Sequence, residues 1–437
     1  MSKKTYSKYS AYKDSGVEWL GEIPEGWDAI RMKYLFRDVS VKNKPEEELL
    51  SVTQDKGVVP RTWVENRMVM PSGNLESFKY IRKGDFAISL RSFEGGLEFC
   101  HHDGIISPAY TVLKKKDGLV DRYYKYLFKS FSFISEIQTS VVGIREGKNI
   151  SYPELSYSLL PIPKKEEQTA IANFLDDKTA KIDRAIAQKE QLISLLKERK
   201  QIIIQNAVTG KVVWNEKEQK MIPLVLSGVE GKDSGVEWIG EIPEHWKVKR
   251  LKYVVKILKR IIGYEGPPVL SITQNGIKIK DITSGEGQLA MDYSKYQIIN
   301  KGEFAMNHMD LITGYVDISK YDGVISPDYR VFVPFIDEIQ DEYLLGLFQV
   351  GYKSKIFYRY GQGVSQLGRW RLPADNFNEF SIPIPPKKEQ SEIMDYIETQ
   401  STKIDQAISL QQTQIQKLKE YKATLIDSAV TGKIKVG

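Results

Sequence analysis

Two long stretches of this chain put an apolar residue at every seventh position. In the later one Ile397, Ile404, Leu418 and Leu425 share a heptad position that Gln411 interrupts, and Ile408 and Ile415 stand four residues after members of that series. In the earlier one Leu175, Ile182, Leu196 and Ile203 are interrupted by Lys189, with Ile186 and Ile193 alongside. An apolar seam kept for four heptads or more predicts long helices that pair with one another. At 1.5 Å per residue, a helix from Lys164 to Val208 is about 65 Å long. Polar breaks at the matched positions Lys189 and Gln411 suit a register device. Both stretches end in Ala-Val-Thr-Gly-Lys, at Ala207–Lys211 and Ala429–Lys433, where glycine is the usual left-handed stop.

Ahead of each seam the pattern changes to short apolar runs. Phe86–Leu90, Tyr110–Leu113 and Tyr329–Val333 predict strands. Asp121 to about Ser140 predicts one amphipathic helix with Tyr124, Leu127, Phe128 and Phe131 on a single face. Its counterpart starts at Asp341 and presents Leu344, Leu347 and Phe348 in the same way. The expectation is an α+β chain in which two mixed α/β globules alternate with two long helices.

The chain is also written twice. Lys13–Trp27 recurs almost letter for letter as Lys232–Trp246, and Leu50–Gln54 returns as Leu270–Gln274. Lys83–Ala87 returns as Lys301–Ala305, and Asp103–Pro108 as Asp322–Pro327. The offset of about 219 residues is far beyond a solenoid period of roughly 20–50 residues, so this is a duplicated domain. Each globule leaves through prolines, at Pro161–Pro163 and Pro383–Pro386, with Gln168 and Gln390 matching beyond them. The resulting division is 1–163 and 235–385 for the globules, 164–209 and 386–437 for the helices with the tail, and 210–234 for a linker. That linker spans on the order of 80 Å if extended, so connectivity permits parallel or antiparallel pairing.

Composition adds little. Of 437 residues, 41% are hydrophobic, enough for packed cores. The single cysteine, Cys100, rules out an internal disulfide and fits a reducing compartment. No run of about 18 apolar residues could span a bilayer, and the polar opening has no signal-peptide pattern, so a cytoplasmic protein is expected. A charge of +6 is compatible with a polyanion and weak by itself.

Sites of catalysis are not evident. The chain lacks a G-x-x-x-x-G-K-[ST] loop, a G-x-S-x-G elbow and the Asn/Asp-Pro-Pro-Tyr/Phe tetrapeptide of amino-methyltransferases. His101 and His102 adjoin Cys100 and Asp103 without a second cluster at metal-ligand spacing, so no metal is expected. The positive signal is local. Between Gly351 and Arg371 the chain carries Lys353, Lys355, Arg359, Arg369 and Arg371, with no acid among them. Tyrosines and Trp370 are interleaved, and glycines bracket Gln362, Ser365 and Gln366. Cations hold phosphates, while Arg, Gln and Ser read base edges. The equivalent segment of the first copy, 143–149, differs in nearly every polar letter and offers Arg145, Lys148 and Asn149. A second pair of candidates follows the Lys-Gly-Asp/Glu-Phe-Ala strand: Arg91 and Ser92 in the first copy, Asn307 and His308 in the second. Shared framework with divergent tips is the pattern expected of two readers of different sequences.

At this point the chain resembles the specificity subunit of type I restriction–modification systems. The residues that carry the resemblance are Trp19–Trp27 and Trp238–Trp246, Pro161–Gln168 and Pro383–Gln390, and the helices ending Ala-Val-Thr-Gly-Lys. The family implies two target-recognition domains, each reading half of a split sequence in double-stranded DNA. It also implies two spacer helices paired as an antiparallel coiled coil with pseudo-twofold symmetry. Such subunits are not catalysts and bind no cofactor. They assemble with two modification subunits and with restriction subunits, which would bind S-adenosylmethionine, ATP and magnesium. Two other readings exist: the recognition part of a self-contained restriction or modification enzyme, and a coiled-coil scaffold without a DNA role. Methyl transfer by the chain alone would favour the first. Absence of salt-dependent DNA affinity would favour the second.

Overall fold

A computed structural model of the chain describes residues 6–64, 75–89, 91–142, 149–283, 290–363 and 370–436. The chain forms two compact units, one of Met1–Glu190 with Gln412–Gly437 and one of Gln191–Gln411. The two long helices run over Lys165–Val208 and Lys387–Val430, so each contributes to both units.

The duplication holds in three dimensions. In the first unit the strands Phe36–Asp38, Thr111–Lys115, Phe86–Ile88 and Glu98–Phe99 lie side by side in that order, all antiparallel. In the second unit Val255–Leu258, Arg330–Pro334, Phe304–Met306 and Val316–Ile318 repeat the order. Aromatic rings fill the space between sheet and helices. Phe86 meets Phe128 at 4.9 Å between ring centroids in the first unit, and Phe332 meets Phe348 at 5.1 Å in the second. Leu344, Leu347 and Phe348 are buried on the helix Asp341–Lys353.

One helical expectation is corrected. The stretch 121–140 is two helices, Asp121–Leu127 and Phe131–Thr139. The Ser130 hydroxyl accepts from the Phe133 amide and caps a new helix there. The break turns Phe131 outward to 54% exposure, whereas Tyr124, Leu127 and Phe128 are fully buried. Residues 210–234 are folded rather than extended. Val212–Asn215 and Lys220–Pro223 form a hairpin that buries Val213 and Ile222, followed by the turn Leu224–Ser227.

Inside the first unit the two long helices lie antiparallel. Lys422 donates to both oxygens of Asp183 at 2.7 and 2.6 Å, and Lys189 donates to Gln414, so numbers fall on one helix as they rise on the other. Lys200 bonds Asp405 at 2.6 Å in the second unit. Ile182, Ile186, Ile193, Ile404, Ile415 and Leu425 are buried, while Leu196, Ile203, Ile408 and Leu418 are half-buried. The seam residues thus face inward, and Lys189 spends its polar head on the opposite helix.

The repeated motifs form the same joint once in each unit. The Trp27 indole N–H donates to Glu167 at the start of the first long helix at 3.0 Å, and Trp246 donates to Glu389 of the second at 2.8 Å. Gln168 binds the Pro163 carbonyl and the Val120 amide, as Gln390 binds Pro385 and Gln340. The ends of the helices are held crosswise. Tyr123 of the first globule donates to the Val430 carbonyl at 2.7 Å, and Tyr343 of the second donates to Val208 at 2.9 Å. Gly432, at φ +77°, leaves no room for a side chain, since a Cβ would stand 2.3 Å from Cδ of Pro24. Gly210, at φ +73°, meets Pro243 at 2.7 Å in the same way. Each globule therefore grips the start of the helix that follows it and the end of the other one.

Candidate nucleic-acid interface

In the second unit the strand Phe304–Met306 runs out into Asn307 and His308. The chain there lies against residues 370–372: the Leu311 amide donates to the Trp370 carbonyl at 3.0 Å and the Leu372 amide to His308 at 2.8 Å. Gln362–Gly363 pairs with Trp370–Arg371 as a short strand pair. Trp370 stacks on Tyr358 at 5.0 Å and donates its indole N–H to the Tyr358 carbonyl at 2.6 Å. The Tyr352 hydroxyl donates to the Asn307 carbonyl at 2.7 Å. Two candidate segments far apart in sequence are therefore one site.

The expected residues divide by exposure. Gln362 and Arg371 are exposed on the strand pair. Lys353 is exposed with its ammonium 5.8 Å from the Tyr315 ring centre, and Lys355 is exposed in left-handed conformation at φ +53°. Arg359 is exposed and pairs with Glu237 at 3.1 Å, a surface contact worth roughly 0–1 kcal/mol that a phosphate can displace. Ser365, Gln366 and Arg369 lie outside the described residues.

In the first unit Arg91 is exposed at the head of the short helix Ser92–Gly95. Ser92 is fully buried, and its hydroxyl accepts from the Ser89 amide at 2.9 Å. It braces the turn and offers nothing to a ligand, unlike the expectation from sequence. Asn149 pairs through its backbone with Val142, and Arg145 and Lys148 lie outside the described residues. The helix Ser92–Gly95 packs on Phe131–Thr139, where Gln138 donates to the Phe93 carbonyl at 3.2 Å, and on the strand Asn149–Ile150. Of the first copy's second candidate segment, Asn149 thus adjoins the Arg91 loop.

Two buried charged groups, Arg330 and Glu98, were not singled out from sequence, and they stand beside His308 and Lys129. Arg330, 5% exposed, stands opposite Met306 on the sheet, donates from Nη2 to the Leu372 carbonyl at 3.1 Å and lies 4.4 Å over the Phe377 ring. Burial lowers its guanidinium to about 10. His308 is pushed down to about 4, first by burial and then by the charges of Arg330 and Arg371, so its ring is neutral at ordinary pH. In the first unit Glu98 is fully buried, paired with Lys129 at 2.6 Å. Lys129 also donates to the carbonyls of Gln54 and Gly95, tying the hairpin tip to the loop behind Arg91. Burial lifts the Glu98 carboxyl to about 7 against the pull of Lys129. A charged letter in an otherwise apolar strand was the one available signal for Arg330 and Glu98.

Cys100 is a core thiol. It donates to the His102 carbonyl at 3.0 Å, and burial pushes it up to about 12. Among the described residues no three His, Cys, Asp or Glu side chains are grouped so as to hold a metal ion, and no helix is long and apolar enough to cross a membrane.

Residues 243–420 match the model of the type I restriction modification DNA specificity domain. The chain is similar in sequence to type I specificity subunits. The specificity subunit of the type I restriction enzyme EcoBI of Escherichia coli is 22% identical over 352 residues, which cover 75% of this chain and 69% of that protein. The MjaVIII specificity subunit of Methanocaldococcus jannaschii is 24% identical over 445 residues, covering 95% of this chain and 94% of the relative. A chain solved in work on complex assembly and conformational transition of the type I R-M system superposes with a TM-score of 0.60 at 13% identity, over 93% of this chain and 98% of that one. That chain and this one share the fold across nearly their whole length.

Proposed function

We infer that this chain is the DNA sequence-recognition subunit of a type I restriction–modification complex, each globule reading one half of an asymmetric bipartite target. The observation that carries this reading is where the two copies agree and where they differ. Their sheets, helix joints and Trp–Glu contacts are repeated. Their tips are not: Arg91 stands in one, and Asn307, His308, Gln362 and Arg371 in the other. Major-groove recognition needs such side chains on a rigid frame, because each base pair presents its own donor–acceptor pattern there.

The helices, 44 residues each and so about 66 Å long, act as a spacer that sets the number of unread base pairs. The chain itself carries out no reaction. Methyl transfer and cleavage belong to two modification subunits and to restriction subunits, which hold S-adenosylmethionine, ATP and magnesium. The site residues proposed for DNA contact are Arg91, Asn307, Lys353, Arg359, Gln362 and Arg371, with His308 between them.

Co-expression with the cognate modification subunit, followed by genome-wide mapping of methylated adenines, tests the reading. The expected result is one split motif with different halves. No new methylation, or a contiguous palindrome, would overturn it.

A further inference from the structure

Three buried polar atoms on neighbouring residues of the second unit have no partner among the described residues: Nη1 of Arg330, Nδ1 of His308 and Oδ1 of Asn307. Buried polar groups are nearly always hydrogen-bonded, so three unpartnered ones on adjoining residues call for a ligand. They belong together. His308 and Asn307 are consecutive, Arg330 donates to the carbonyl of Leu372, and the Leu372 amide donates back to His308.

Arg330 lacks what a structural arginine has. No carboxylate pairs with it among the described residues, and the titratable group that acts on its charge is the buried Tyr352 phenol. Asp310, in the same segment, spends its carboxylate on the amides of Ile312 and Thr313 at 2.9 and 3.0 Å. At the matching position the first copy has Thr111, opposite Ile88 as Arg330 is opposite Met306. The guanidinium is therefore no requirement of the shared fold. It is a feature of the second copy alone, placed beneath the part that the two copies do not share.

We propose that Arg330 is a further specificity-determining residue of the second domain, donating from Nη1 to an acceptor that DNA brings to the site, either the O6/N7 edge of a guanine or a phosphate oxygen. Asn307 Oδ1, likewise unpartnered, can take an N–H from the paired cytosine, which a phosphate does not offer. His308, held neutral, adds no competing charge. This inference rests on the DNA-recognition reading above and adds to it one residue that lies inside the fold.

The test uses the full chain assembled with its modification subunits, in wild-type form and as Arg330→Met and Arg330→Lys. The readouts are the methylated motif, affinity for a duplex of the wild-type motif over a range of salt, and the melting temperature. Arg330→Met removes the cost of burying an unpaired cation but also the bond to the Leu372 carbonyl, so it is expected to melt close to wild type while losing ten- to a hundredfold in affinity. If the acceptor is a base, the motif changes in one half only, and Arg330→Lys, lacking the bidentate fork, does not restore it. If the acceptor is a phosphate, affinity falls evenly on all sequences, the slope of log affinity against log salt drops by about 0.9, and Arg330→Lys restores both. An unchanged motif with unchanged affinity overturns the proposal. So does a lower melting temperature with loss of both half-sites, which marks a structural role. A wild-type complex that methylates no split motif would instead sink the recognition reading itself.

Discussion

Gly432 sits against Pro24, so close that a Cβ on the glycine would stand 2.3 Å from the proline ring. The helix that ends at Val430 is thereby seated on the Ile-Pro-x-x-Trp signature of the first globule, and the Tyr12 hydroxyl fixes the Gly432 carbonyl at 3.2 Å. Gly210 on Pro243 repeats the arrangement. The duplicated letters are therefore joint surfaces, which explains why they were kept alike while the tips changed.

This contact predicts a difference between two glycines of the same backbone conformation. Gly432 and Gly16 have φ of +77° and +78°, but nothing lies within 4 Å of a Cβ placed on Gly16. Gly16→Ala should cost about 1–2 kcal/mol, the left-handed penalty alone. Gly432→Ala should cost a further 1–3 kcal/mol for overpacking against Pro24. Urea unfolding of both variants measures the difference, and equal costs would mean that the helix end is not held there.

The start of the helix is held by a charge-assisted bond. Trp27→Phe removes the N–H that Glu167 accepts at 3.0 Å while keeping an aromatic ring in the core. A hydrogen bond to a charged group contributes roughly 1.5–3 kcal/mol. Tyr9, which also donates to Glu167 at 2.5 Å, remains, so the expected loss lies toward the lower end of that range. Thermal unfolding reads it, and a loss below about 0.5 kcal/mol would reduce the Trp–Glu pair to a surface contact.

Much of this architecture was legible because periodicity and duplication are properties of the letters. The seven-residue seam announced both helices, the first to within a residue of Lys165–Val208, and the repeated motifs announced two like globules. What the motifs do to one another was not legible. Tyr12 and Gly432 are 420 residues apart, and nothing local says that they touch. The same limit applied to the site. Residues 307–308 and 370–372 read as separate loops, since only backbone pairing across the fold joins them. Ser130 misled in a different way: its cap splits a stretch whose apolar spacing suits one helix. Arg330 and Glu98 were hidden inside strand letters, where burial rather than sequence spacing gives them their character.

Glu98 predicts a pH dependence. In the folded chain its carboxyl titrates at about 7, above the ordinary value of 4.5. Between those values the folded form keeps a proton that the unfolded chain has lost, so stability declines as pH rises across that window. Glu98→Gln cannot ionise. Its stability relative to wild type should therefore grow from about pH 4.5 to about pH 7 and level off above, as followed by melting temperature. A difference that is flat in pH would show that Lys129, at 2.6 Å, keeps the carboxylate charged throughout.

Arg91 and Arg371 predict a separation of function between the two copies. Both are exposed, each at the tip of its own globule, and neither has an ion-pair partner at 4.0 Å or less among the described residues. Removing either should leave the unfolding free energy within about 0.5 kcal/mol of wild type, because exposed side chains outside packed or capped positions contribute little to stability. Their effects on DNA should not overlap. Arg91→Ala is expected to relax one half of the methylated motif and Arg371→Ala the other, each by about 1–3 kcal/mol at a single base pair. The double variant should combine the two losses additively, since the sites share no residue. Methylation mapping of the three variants decides it. If both single variants relaxed the same half, or weakened all sequences alike with a smaller salt slope, the arginines would be holding phosphates rather than reading bases.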